Sequence, residues 1–116
     1  FGSIYENVVA QELLAHGFED LYYYNSKKMG EVDFVTELYG KVFPIEVKSG
    51  KDYNRHRALN NIIDCKEYDI PEAIVLCNDN TSLKGKVKYF PIYMMMFIHK
   101  EKSADIKFSI DLSGLE

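Results

Sequence analysis

The run Val42-Phe43-Pro44-Ile45-Glu46-Val47-Lys48-Ser49-Gly50 constrains the fold more than any other part of this chain. Its apolar and β-branched residues mark a buried strand, ended by Ser-Gly. Side chains alternate along a strand, so Glu46 and Lys48 share one face while Val47 takes the other. A carboxylate and an ammonium on a largely apolar strand need a partner or a metal if they are buried. A second acid, Asp33, stands in the apolar run Val32-Asp33-Phe34-Val35, 13 residues before Glu46. Two acids and a lysine at the ends of neighbouring strands can hold a divalent cation and position a water.

Around this run the chain reads as alternating elements. Residues 3 to 16 predict a helix, with Ser3 as N-cap, Glu6 completing a capping box and Gly17 as the stop. Tyr5, Val9, Ala10, Leu13 and Leu14 make one apolar stripe, and Ile4 and Val8 on the other side predict a helix covered on two faces. Strands are expected over 21–25, 31–38 and 42–48, with a polar turn at 26–30 and a short hairpin connection at Tyr39-Gly40-Lys41. A second helix is expected over 53–65. Ala73-Ile74-Val75-Leu76-Cys77 is a continuous apolar run suited to a fully buried strand. A polar loop over 78–85, a strand over 87–90 and a helix or strand over 92–99 follow. Ile106, Phe108, Ile110 and Leu112 alternate weakly in the tail. Helix, three antiparallel strands, helix, strand, strand predicts an α/β fold with helices flanking a mixed central sheet.

With 116 residues and 47% apolar content, the chain can bury one core and is expected to be a single domain. Its formal charge of −4 excludes a uniformly basic nucleic-acid binder but not a local basic groove. Cys65 and Cys77 lack zinc-ligand spacing; a disulfide between them is geometrically open, but they read rather as two buried thiols of a cytoplasmic protein. No apolar run reaches membrane-spanning length, so no membrane association is expected. The start at Phe1-Gly2-Ser3, without an initiator Met, reads as a segment of a longer protein or as an expression remnant.

Three stretches together carry a resemblance. They are Tyr5-Glu6-Asn7-Val8-Val9, Gly30-Glu31-Val32-Asp33-Phe34-Val35 and Pro44-Ile45-Glu46-Val47-Lys48-Ser49-Gly50. A helix acid, a strand Asp and Glu-x-Lys on the next strand, in the order α-β-β-β-α-β, resemble the PD-(D/E)XK nuclease superfamily. The match is closer to the nuclease-like domain that follows the ATPase module in a family of prokaryotic AAA ATPases. Val32 stands where many members have proline.

The resemblance implies a restriction-endonuclease-like core and metal-dependent hydrolysis of DNA phosphodiesters. Asp33 and Glu46 would bind Mg²⁺ or Mn²⁺, with the Val47 carbonyl as a third ligand. Lys48 would orient or activate the attacking water, and Glu6 would be an accessory ligand or water contact. Lys51, Arg55 and Arg57, which follow the strand, are the candidate nucleic-acid contacts. An ATPase module N-terminal to this segment is implied as partner, and a homodimer is compatible with the superfamily. The alternative is a catalytically inactive nuclease-fold module that binds or regulates within an ATPase.

Plainer roles stand beside these. Glu46 and Lys48 can form an ion pair on a solvated strand face, and Glu6 can serve only as the capping-box residue. Ser49-Gly50-Lys51-Asp52 lacks the earlier glycine and the Ser/Thr of a phosphate-binding loop, and reads as a turn. His56 between Arg55 and Arg57 reads as a phosphate contact or, more commonly, a solvated helix start, and Met94-Met95-Met96 as core or interface filler. Lys84, Lys86 and Lys88 read as an exposed strand edge or as phosphate contacts.

Overall fold

Alternation of apolar residues along five strands builds a sheet whose two faces are each closed by one helix. The computed structural model describes residues 4–18, 20–38, 40–100 and 106–108. The elements run α1 (Ile4–Ala15), β1 (Tyr22–Ser26), β2 (Gly30–Leu38), β3 (Lys41–Lys48), α2 (Arg57–Asp64), β4 (Ala73–Cys77), β5 (Ser82–Lys84), β6 (Val87–Pro91), a 3-10 helix (Ile92–Phe97), β7 (Ile98–Lys100) and β8 (Ile106–Phe108). The first six strands form one sheet in the order β1-β2-β3-β4-β6-β5, and β7 and β8 pair antiparallel in a separate two-stranded sheet.

The sheet is mixed. β1, β2 and β3 make an antiparallel meander. β3, β4 and β6 run parallel, and β5 returns antiparallel on the far edge. The parallel step from β3 to β4 needs a crossover, and α2 supplies it. β4 is buried on both faces, as its unbroken apolar run predicts. Ile74 and Leu76 join Val9 and Leu13 of α1, with Phe34, Phe43, Ile45 and Val47, in one core. Ala73, Val75 and Cys77 join Leu59 and Ile62 of α2, with Val32, Val87 and Tyr89, in the other.

α1 stops where Gly17 predicts, by a Schellman motif. Phe18 N–H donates to Leu13 O at 3.0 Å and Gly17 N–H to Leu14 O at 3.2 Å, with Gly17 at φ 98°. Phe18 and Leu13, the two ends of that motif, are both buried in the same core. Of the two residues expected on a second covered face of α1, Val8 is 48% exposed and the Ile4 side chain lies outside the described residues; Leu14, expected on the first stripe, is 51% exposed. α1 packs on β3 and on the 3-10 helix, with Val9 and Leu13 fully buried. Ser3, the expected cap, lies outside the described residues.

α2 begins four residues later than expected. Arg55 N–H donates to Asp52 O at 3.0 Å in a turn, and His56 adopts φ −143°, ψ 74° as the N-cap. The loop expected over 78–85 contains β5, which backbone pairing to β6 creates although all three of its side chains are exposed. Ile92–Phe97 forms a 3-10 segment followed by a short strand, so neither single expectation for 92–99 holds throughout. Ile110 and Leu112, and the Met95 and Met96 side chains, lie outside the described residues.

β2 carries one irregularity that positions the site. Tyr22 pairs with Val35, but Tyr24 pairs with Val32, so β2 spends three steps where β1 spends two. That extra residue is a β-bulge at Asp33-Phe34, and it resets the alternation. Val32 therefore packs on the α2 side while Phe34, two residues on, packs on the α1 side.

Candidate active site

The bulge ends regular pairing between β2 and β3 at Phe34 opposite Ile45. Beyond that point the strands form a fork, and their free amides need acceptors. Two carboxylates provide them reciprocally. Asp33 N–H donates to Glu46 Oε1 at 3.3 Å, and Val47 N–H donates to Asp33 Oδ2 at 2.8 Å. The two acids predicted from separate strands thus meet in one place. A plain ion pair on a solvated strand face does not describe them, because Glu46 is only 6% exposed.

Burial in the fork pushes the Glu46 carboxyl up to about 9. The hydrogen bond and the charge of neighbouring Asp33 add to the effect, and Lys48 opposes it. Two close acids that cannot both ionise share a proton. A divalent cation can replace that proton. Each carboxylate spends one oxygen on a backbone amide and keeps a second. Two carboxylates completed by waters suit a hard cation such as Mg²⁺.

Lys48 is half-buried at the end of β3. Alternation from Ile45 and Val47, which face α1, turns it to the α2 side. His56 lies in the same region, for Lys48 is among the charges that lower its pKa, after burial. Glu6 is half-buried in the first turn of α1. Its charge, with those of Glu31 and Asp33, reaches Tyr23, whose hydroxyl is hydrogen-bonded to Glu31 and raised above its ordinary pKa chiefly by that bond. Glu6 and Asp33 thus both lie within electrostatic reach of Tyr23, and among the described residues no three His, Cys, Asp or Glu side chains come together as a metal-binding group.

Lys51, Arg55 and Arg57 are exposed at the end of the sheet where β3 finishes. Lys51 lines a cleft of about 360 Å³ with Ser49, Gly50, Tyr53, Asn78 and Asp79. Asn78 Nδ2 donates to Ser49 O at 2.8 Å and ties the loops after β3 and β4 together. Lys86 and Lys88, read from the sequence as an exposed edge or phosphate contacts, are engaged internally. Lys86 Nζ donates to Ile70 O, and Lys88 pairs with Glu72 at 3.1 Å. Only Lys84, on edge strand β5, keeps the exposed-edge role.

His56 is the main departure at residue level. It is buried rather than solvated, and its Nε2 lies 2.6 Å from the Tyr89 hydroxyl. Its Nδ1 has no hydrogen-bond partner. Tyr53 stacks edge-on against Tyr89 and is hydrogen-bonded to Asp79. A histidine between two arginines carries no sequence signal for such burial. Cys65 and Cys77 are both free thiols; Cys77 is buried as expected, but Cys65 is partly exposed.

A family model matches residues 1–95, and its description is a domain of unknown function, DUF4143. The chain belongs to the DUF4143 family. No curated protein matches it significantly, and no solved structure does so. Among the described residues of this DUF4143 chain, no helix is long and apolar enough to cross a membrane.

Proposed function

We propose that this DUF4143 domain is a metal-dependent phosphodiester hydrolase of the PD-(D/E)XK type, acting on DNA. One observation carries the proposal: Asp33 and Glu46, from different strands, converge in the β2–β3 fork, each accepting a backbone amide there. Asp33 and Glu46 would hold Mg²⁺ or Mn²⁺, with the Val47 carbonyl as a third ligand. A bound cation would polarise the scissile phosphate and acidify a water. The chain's own contribution is orientation and charge. The backbone amides of Asp33 and Val47 fix the carboxylates, which limits the reorganisation needed when the proton leaves. Lys48, on the same strand face as Glu46, places a positive charge beside the water and phosphate. Glu6 and Tyr23 flank this end and contribute contacts to water.

The proposal extends to a nuclease-like domain folded as one unit, carried in the cytoplasm behind an N-terminal ATPase module. Family membership agrees with an ATPase-associated domain but does not itself specify a reaction.

The test is hydrolysis of plasmid DNA with Mg²⁺ or Mn²⁺ by the parent, Glu46→Ala and Lys48→Ala. Metal-dependent nicking by the parent, reduced at least a hundredfold in both variants, is the expected result. Equal rates in parent and variants would overturn the assignment. An inactive parent whose melting temperature does not respond to Mn²⁺ would favour a non-catalytic module.

A further inference from the structure

The β1–β2 turn and the first turn of α2 enclose a second cleft, of about 340 Å³. Lys27 and Lys28 line it from the turn, Arg57 and Asn61 from the helix. All three cations are exposed, and none has an ion-pair partner among the described residues. At the opposite end of the sheet, by contrast, Lys41 pairs with Asp69 and Lys88 with Glu72. Lys51 and Arg55 are exposed at the fork end as well, so positive charge lines the end of the sheet that holds the fork, although exposed Lys84 stands at the other, on a chain of net charge −4.

The cleft is rigidly built. Ser26 Oγ accepts the Lys28 and Met29 amides at 3.2 and 3.1 Å. Asn61 Nδ2 donates to Met29 O at 2.9 Å and fastens the helix to the turn. Gly30 lies so close to α2 that an added Cβ would sit 2.9 Å from the Ala58 Cβ. The cations therefore project from a fixed frame rather than from a loose hairpin tip. Gly30 opens β2, and Asp33 follows three residues later, about 10 Å along the strand. Lys48 is turned to the same α2-covered side of the sheet.

We propose that this cleft docks the phosphate backbone of double-stranded DNA and leads it to the Asp33–Glu46 fork. The inference rests on reading that fork as a phosphodiesterase site. Unpaired cations on a fixed frame suit successive phosphates, which demand charge at regular positions but no base reading. Lys27 and Lys28 face the backbone from the turn, and Arg57 meets it from the helix with a planar, multidentate group.

The experiment is fluorescence anisotropy of a short labelled duplex in EDTA, over a range of salt concentrations. The proteins are the parent and a triple variant, Lys27→Ala/Lys28→Ala/Arg57→Ala. The triple variant is expected to bind on the order of a hundredfold more weakly, with its salt slope reduced by roughly three. Lys27→Arg/Lys28→Arg should retain parental binding, and unchanged melting temperatures would exclude misfolding. Equal affinity and slope in parent and triple variant would overturn the dock. So would failure of the parent to bind duplex, or equal competition by a polyglutamate of matching charge, which would assign the cleft to an acidic protein. Cleavage is scored separately. Cleft-dependent binding without cleavage in any metal removes the hydrolase reading alone, whereas cleavage unaffected by the triple variant removes the dock alone.

Discussion

Glu46 is the residue on which most of the chemistry turns. In the unfolded chain it ionises near 4.5, whereas in the fork it keeps its proton up to about 9. The folded state therefore binds the extra proton between those values. This contribution to stability is fully present below about 4.5 and is lost as pH rises toward about 9. Glu46→Gln preserves an acceptor for the Asp33 amide and offers Asp33 a permanent donor. In EDTA the variant should match the parent near pH 4.5 and exceed it at pH 8 by on the order of 1–3 kcal/mol. Urea unfolding at the two pH values checks this, and equal stability at pH 8 would mean that Glu46 is ionised in the fold. Thr36 offers a second residue-scale case. It is 2% exposed on β2, and its hydroxyl has no hydrogen-bond partner. Thr36→Val keeps the β-branched shape, removes the unsatisfied group and should stabilise the domain by about 1 kcal/mol in the same assay.

At the scale of elements, the junction between the β1–β2 turn and α2 is the tightest feature. Gly30 combines φ 105° with near-contact to Ala58, so it is excluded twice from accepting a side chain. Gly30→Ala should destabilise the domain by roughly 2 kcal/mol or more. A denaturation midpoint unchanged by the substitution would show that turn and helix can separate freely. Ala58→Gly added to it would relieve the contact but not the dihedral, so recovery should be partial. The bulge in β2 is the other decisive element. It costs regular pairing, yet it frees the two amides that the carboxylates then occupy.

For the whole molecule, the fork and the Lys27–Lys28–Arg57 cleft share one end of the sheet. A cation that binds only the folded state must stabilise it. Mn²⁺ at about a hundred times its dissociation constant should raise the melting temperature by roughly 10 °C. Glu46→Gln should lose most of that response. A parent indifferent to Mn²⁺ and Mg²⁺ across the millimolar range would remove the metal from the proposal.

Local pattern alone determined much of this protein. Apolar alternation and turn residues marked β1, β2, β3 and β4, because burial on a pleated surface leaves a period-2 or continuous apolar trace. Gly17 announced the end of α1, since few other residues tolerate its conformation. Asp33, Glu46 and Lys48 were legible as acids and a lysine on adjoining strands. Other features were decided only in three dimensions. β5 has no apolar side to read, because its place depends on backbone pairing with β6. His56 looks basic and solvated in the sequence, and only the approach of Tyr89, 33 residues away, makes it a buried group. Strict alternation sets Asp33 opposite both its neighbours. The bulge breaks that rule, and the parting of β2 from β3 then turns two acids, 13 residues apart, into one site.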